Sequence, residues 1–132
     1  MGDSPVEVVE AYFEAWNRRD LEALEATLHP DCEWRRSADF PEGRTLRGKE
    51  GMVDFARSMF DVFADTPIEI ERCVEGRDGC VAVGGASRFV GGRSGAETSA
   101  SWARVYEVRG ERIVSIRPYS SVEDALAAAG AA

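Results

Sequence analysis

The stretch PVEVVEAYFEAWNRRDLEALEATLHPDCEWRR, residues 5–36, decides the fold. Val9, Tyr12, Phe13 and Trp16 fall at i, i+3, i+4 and i+7, so they share one face of a helix, while Glu7, Glu10, Glu14 and Arg18 lie largely on the other. That helix is predicted over residues 5–18. Asp3 or Ser4 can cap it, and Pro5 suits a first turn because its missing N–H would have no partner there. Asp20 caps a second, short helix whose Leu21, Leu24 and Leu28 stripe faces inward and which Pro30 stops. His29 then sits at a helix C-terminus, which favours its protonated form and a capping role. DCEWRR follows as a strand, with Cys32, Trp34 and Arg36 on one face and Glu33 and Arg35 on the other.

Residues 37–47 hold a Pro and a Gly among polar residues and read as a loop. Met52, Phe55, Ala56, Met59 and Phe63 recur at helical spacing, which predicts a third helix over 48–63. The period then changes to two. Ile68, Ile70 and Val74 alternate with Glu69, Glu71 and Glu75, marking a half-exposed strand. Arg77-Asp78-Gly79 turns the chain into a strand at about 80–90, which the Gly84-Gly85 pair weakens and can bulge, leaving the face of Arg88 open. A strand at about 96–108 puts Trp102, Arg104, Tyr106 and Val108 on one face, and a turn at 109–111 leads into a last strand over 112–119. Ser121 stands three residues before Asp124 and Gly130 ends the run, so the tail forms a short closing helix. The order helix, helix, strand, helix, then four antiparallel strands reads as an α+β class and not as a parallel βαβ fold.

Composition narrows the function. A chain of 132 residues fits one domain, residues 1–132, with a core that needs no metal or disulfide. Sixteen basic and 24 acidic residues leave a net charge of −8 with no Lys/Arg run, which argues against nucleic acid and against anionic membranes. Cys32, Cys73 and Cys80 form no CxxC pair, and no leader or long apolar run is evident. A reduced, cytoplasmic protein is expected. One histidine without neighbouring ligands cannot anchor a zinc site, so no metal is expected.

AYFEAWNRRDLEALEATLHPDCEW, the Gly48 helix start, SG at 94–95, GERIVSIR at 110–117 and EDALAAAG at 123–130 together resemble the SnoaL-like branch of the nuclear transport factor 2-like superfamily. The resemblance implies a cone: a bent sheet wrapped round three helices, a pocket at the open end, no cofactor, and frequent dimerisation through the sheet. It implies no single chemistry, because relatives include isomerases, cyclases, dehydratases, hydrolases and non-catalytic binding domains. Compared with the steroid isomerase relatives, the oxyanion-holding tyrosine falls on Tyr12. The carboxylate base falls on Arg36, and the late carboxyl on or near Arg104. Arginine cannot abstract a proton at working pH, so the isomerase mechanism is excluded.

The candidate residues follow. Tyr12 is a donor into the pocket or a core tyrosine; Trp16, Trp34 and Trp102 are pocket walls or core packing, with Phe55, Met59 and Ile116 lining beside them. Arg36 and Arg104 point inward by strand parity and each needs an anion, either a ligand carboxylate, phosphate or enolate, or an internal acid among Glu33, Asp39, Glu50 and Asp54. Arg88 can join them if the glycine pair turns it inward. Asp39, placed after the first strand, is the remaining acid–base candidate; Cys32 and Cys80 are nucleophiles or core fillers, and with no Cys–His spacing to activate them they read as small hydrophobes. The expected partner is a small organic ligand bearing an anionic or carbonyl group, turned over or simply bound. A second copy of the chain is expected too, packed through outward apolar residues such as Val105 and Val114.

Overall fold

The computed structural model describes residues 4–35, 45–91 and 97–131. Arg36 and Asp39 lie outside the described residues. Helix α1 (Pro5–Asn17) begins at a complete capping box: the Ser4 hydroxyl accepts from the Glu7 N–H, and the Glu7 carboxylate accepts from the Ser4 N–H. Its apolar face is buried through Val8, Val9, Tyr12, Phe13, Ala15 and Trp16. Helix α2 (Leu21–Ala26) is capped by Asp20, whose carboxylate accepts from the Ala23 N–H.

The stop of α2 differs from the expectation. Pro30 does not end it; the helix closes at Ala26, where the Thr27 hydroxyl donates to the Leu24 carbonyl at 2.7 Å. Leu28, Pro30 and Cys32 all belong to strand β1 (Leu28–Trp34), so Leu28 reaches the core from a strand and not from the helix stripe. A proline is tolerated there because the ladder is interrupted: β1 pairs at Leu28 and again only at Glu33. His29 consequently caps no helix. Its Nδ1 accepts from the Asp31 N–H at 3.0 Å, a local turn contact.

Strand β2 (Leu46–Arg47) leads straight into α3 (Gly48–Val62), and β3 (Phe63–Asp65), β4 (Ile68–Glu75), β5 (Cys80–Gly91), β6 (Glu97–Arg109) and β7 (Arg112–Tyr119) follow before α4 (Val122–Ala129). Phe63 opens β3 and packs on Phe89, so it does not continue the helix. The sheet has the order β2-β1-β7-β6-β5-β3, with β4 also pairing β5; β1 runs parallel to β7 and the other pairs are antiparallel. It is curved and unclosed, and the architecture is the α+β cone expected.

The Gly84-Gly85 pair does not break β5, which stays in register with β6 from Cys80↔Glu107 to Val90↔Glu97. The bulge lies instead in the partner, β4, where Ile70 faces Gly85 and Arg72 faces Gly84, leaving Glu71 extra. Parity beyond it reverses, so Cys73, not Val74, joins Ile68 and Ile70 on the concave side. Gly85 is required by close approach: a Cβ there would meet the Glu69 carbonyl oxygen at 2.6 Å and the Trp102 ring at 3.1 Å.

Two cores lie on opposite sheet faces. The concave face packs α1, α2 and α3 against Val81, Val83, Tyr106, Val108, Ile113 and Ile116. The convex face carries α4, whose Ala125 and Ala129 cover Ala82, Ala103 and Val105. Val105, expected to face a second subunit, is 0% exposed under α4 and is not available for that purpose. Val114 marks a bulge in β7, between Ile113↔Val108 and Ser115↔Glu107.

The C-terminal end of α1 fastens the segment after α3. The Trp16 indole N–H donates to the Thr66 carbonyl at 2.8 Å, and the Asn17 amide both donates to and accepts from the Ile68 backbone. Arg19 donates to the carbonyls of Phe60 and Phe63, satisfying orphan acceptors at the end of α3.

Candidate functional site

Strand pairing sets the site in rows across the concave face. Trp34 on β1 faces Ile116 on β7, which faces Tyr106 on β6, which faces Val81 on β5. One step along, Pro118, Arg104 and Val83 form the next row; one further, Trp102 lies opposite Gly85. Arg104 therefore stands between two aromatic positions of its own strand, with a third beside it from β1.

Its guanidinium uses all three. The carbon Cζ lies 4.1 Å from the centroid of the Trp102 ring and 5.0 Å from that of Trp34, and Nη1 donates to the Tyr106 hydroxyl at 3.3 Å. Among the described residues no carboxylate forms an ion pair with Arg104. Glu33 engages Arg35 and Arg47, and Asp54 engages Arg57. Two of the internal acids that could have neutralised Arg104 are thus spent elsewhere.

The surrounding side chains divide by depth. Tyr106 is 0% and Tyr12 4% exposed; their rings lie 5.8 Å apart, and both touch Phe13. They form the floor, with the fully buried Ile116 beside them. Arg104, Trp102, Trp34, Phe55 and Met59 are only half-buried and stand above it. Phe55 meets the Trp34 ring edge-on at 5.3 Å, while Trp102 stacks on Phe13 and donates its indole N–H to the Ser87 hydroxyl at 2.8 Å. The donor is satisfied, and the ring is held flat enough for Arg104 to lie over it.

Burial pushes both floor tyrosines above the ordinary phenol pKa; for Tyr12 the Tyr106 oxygen adds to the rise while Arg104 opposes it, and for Tyr106 the charge and the hydrogen bond of Arg104 both oppose it. Both are neutral phenols across the physiological range. Burial likewise lifts the Cys32 thiol to about 11 and raises those of Cys73 and Cys80, so none supplies a ready thiolate.

Two assigned residues lie elsewhere. Arg88 points to the convex side, exposed, and pairs with Glu97 at 3.4 Å; the β5 register is unbroken, so nothing turns it inward. Trp16 is 6% exposed, with its N–H on Thr66 and its ring edge-on to Phe60 at 5.1 Å, so it serves as a fastening of the core and not as a wall beside Arg104. Three residues not singled out for the site touch Arg104 or Trp102. Tyr106 orients Arg104, and its place two residues along the same strand was the available signal. Ser87 and Gly85, which seat the Trp102 ring, carry no sequence signal, since both act through a neighbouring strand. Among the described residues no group of His, Cys, Asp and Glu could hold a metal ion.

A curved, unclosed sheet with helices packed on its concave face defines a protein of the α+β cone class. The model of the SnoaL-like domain matches residues 9–116, and the chain belongs to that family. Solved structures share the fold. An NTF2-like protein from Burkholderia thailandensis is 23% identical, with 96% of this chain and 97% of that one covered and a TM-score of 0.76. Another, of unknown function, from Burkholderia pseudomallei is 20% identical over 95% and 96% of the two chains, TM-score 0.74. A Mycobacterium tuberculosis protein in complex with estradiol-17beta-hemisuccinate is 16% identical over 92% and 97%, TM-score 0.77. At these identities the likeness is one of fold. No curated protein matches the sequence. Among the described residues no helix is long and apolar enough to cross a membrane.

Proposed function

We propose that the cone binds a small organic molecule carrying an anionic or carbonyl group, with Arg104 as the group that holds it. The observation that carries this reading is a half-buried guanidinium resting on two indole rings with no described carboxylate beside it. A cation in such a place retains donors for a ligand oxygen, and charge-assisted hydrogen bonds of this kind contribute about 1.5–3 kcal/mol. The half-exposed Trp34, Trp102, Phe55 and Met59 suit an apolar or planar ligand body. The relative complexed with a steroid hemisuccinate is in keeping with this. Arg36 is retained from the sequence as a second cation, and Asp39 as the remaining acid–base candidate; both lie outside the described residues.

Binding without turnover is favoured over catalysis by one set of observations. The phenols around Arg104 and the three thiols are all pushed towards their neutral forms. None of these is a poised base. In calorimetric titration against a panel of aromatic carboxylates, Arg104→Ala should weaken any ligand of the native protein about tenfold, the equivalent of about 1.4 kcal/mol. Unchanged affinities in Arg104→Ala would remove the reading, and product formation with a bound ligand would replace the binder by an enzyme.

We also propose that two chains associate through the convex face left beside α4. Sedimentation at micromolar concentration should return twice the 14.4 kDa chain mass, and a monomer would refute the association.

A further inference from the structure

The neighbourhood of Arg104 has the make-up of a cage for a cation, and the cation in it belongs to the chain. Aromatic faces carry negative quadrupole potential, and indole is the strongest side chain of this kind. Here two indoles from different strands, Trp34 and Trp102, converge on one point, and Cζ of Arg104 occupies it at 5.0 and 4.1 Å. Neither indole gets there by chance of rotamer. Trp102 is stacked on Phe13 with 18° between the planes, seated over Gly85 and tied to Ser87; Trp34 is braced edge-on by Phe55. The floor below is aromatic as well, in Tyr12 and Tyr106. The arrangement is built by parts that do not need Arg104 to hold them.

We propose that Arg104 is the resident cation of this aromatic cage and the residue that sets the sign of charge the pocket accepts. This rests on the small-molecule reading above. With Arg104 in place the ring faces are spent, the site presents positive charge, and a cationic ligand meets both an occupied cage and a like charge. With Arg104 truncated, the rings keep their seats and the vacated point lies between the Trp34 and Trp102 faces, beside the neutral Tyr106 hydroxyl. The pocket then becomes a site for a small alkylammonium ion.

The probes are tetramethylammonium and its neutral isostere tert-butanol, titrated into the native protein, Arg104→Ala and Arg104→Ser. Binding is followed by calorimetry and by the upfield shift of the probe's methyl protons, which only stacking against aromatic rings produces. Tetramethylammonium is expected to bind the variants at least tenfold more tightly than the native protein, with the upfield shift, and at least tenfold more tightly than tert-butanol. Three results overturn the proposal. They are equal affinity for native and variant, no preference for the cation over the alcohol, and no binding by a variant whose circular dichroism matches the native. Should neither variant fold, the native protein decides: a shifted, tetramethylammonium-bound native protein overturns the proposal, and exclusion supports it. A variant that gains the cation while the native protein binds no carboxylate would leave the cage standing and remove the anionic-ligand reading alone.

Discussion

Replacing Trp16 by alanine should lower the free energy of unfolding by about 3–5 kcal/mol, a large part of the roughly 5–15 kcal/mol a domain of this size possesses. The indole is 6% exposed, lies edge-on to Phe60 at 5.1 Å, and donates to the Thr66 carbonyl at 2.8 Å. Truncation removes the ring's contacts and leaves a cavity between α1 and α3. It also leaves the carbonyl of Thr66, a residue only 3% exposed, without this donor. The Trp16→Phe variant separates the two contributions. It keeps much of the ring and loses the donor, and should cost about 1–3 kcal/mol. Urea unfolding measures both. A Trp16→Ala loss below about 1 kcal/mol would mean that α1 is not fastened to the 60–68 segment in this way, and that the placement of Phe55 and Met59 on α3 rests on something else.

Gly76→Ala is the second large effect, about 2–3 kcal/mol of destabilisation, near the upper end of what overpacking commonly costs. A Cβ at Gly76 would run into the backbone carbonyl of Ala129 at the end of α4. That oxygen already accepts the Arg77 N–H at 2.7 Å, so it cannot turn aside without breaking the bond that seats the helix. Either α4 lifts from Ala82, Ala103 and Val105, or the Gly76 turn distorts. Gly51→Ala is the paired control. Nothing lies within 4 Å of a Cβ there, and the position is inside α3, so the same methyl group should stabilise by about 1 kcal/mol. Thermal unfolding that moved both variants in the same direction would contradict this account of α4 as a seated cover.

Much of the fold is legible in the chain because its signals are local. The capping box at Ser4, the Asp20 cap, the period-3.6 stripe of α1 and the turns at Asp78-Gly79 and Gly110-Glu111, both with positive φ, each depend on residues a few positions apart. The errors have the opposite character. Pro30 reads as a helix stop, yet it sits in a strand because the β1–β7 ladder is open at that point. The alternation of Ile68, Ile70 and Val74 is broken by a bulge that only the partner register reveals. Val105 reads as an outward apolar residue and is buried because a helix some twenty residues later folds back over it.

The site divides the same way. Strand parity alone puts Trp102, Arg104 and Tyr106 on one face, since successive side chains of a strand must alternate. Parity cannot say that Trp34, seventy residues earlier, comes to lie against Arg104, that Ser87 takes the Trp102 N–H, or that Arg88 leans away to Glu97. Those contacts follow from the parallel pairing of β1 with β7 and the unbroken register of β5 with β6, and register is a property of two strands together. By itself the sequence determined an α+β class with Trp102, Arg104 and Tyr106 on one strand face, and its family resemblance implied the cone. Only the tertiary structure decided that Arg104 lies over the Trp34 and Trp102 rings, because the distance between residues remote in the chain is set by which strands pair and not by which residues neighbour.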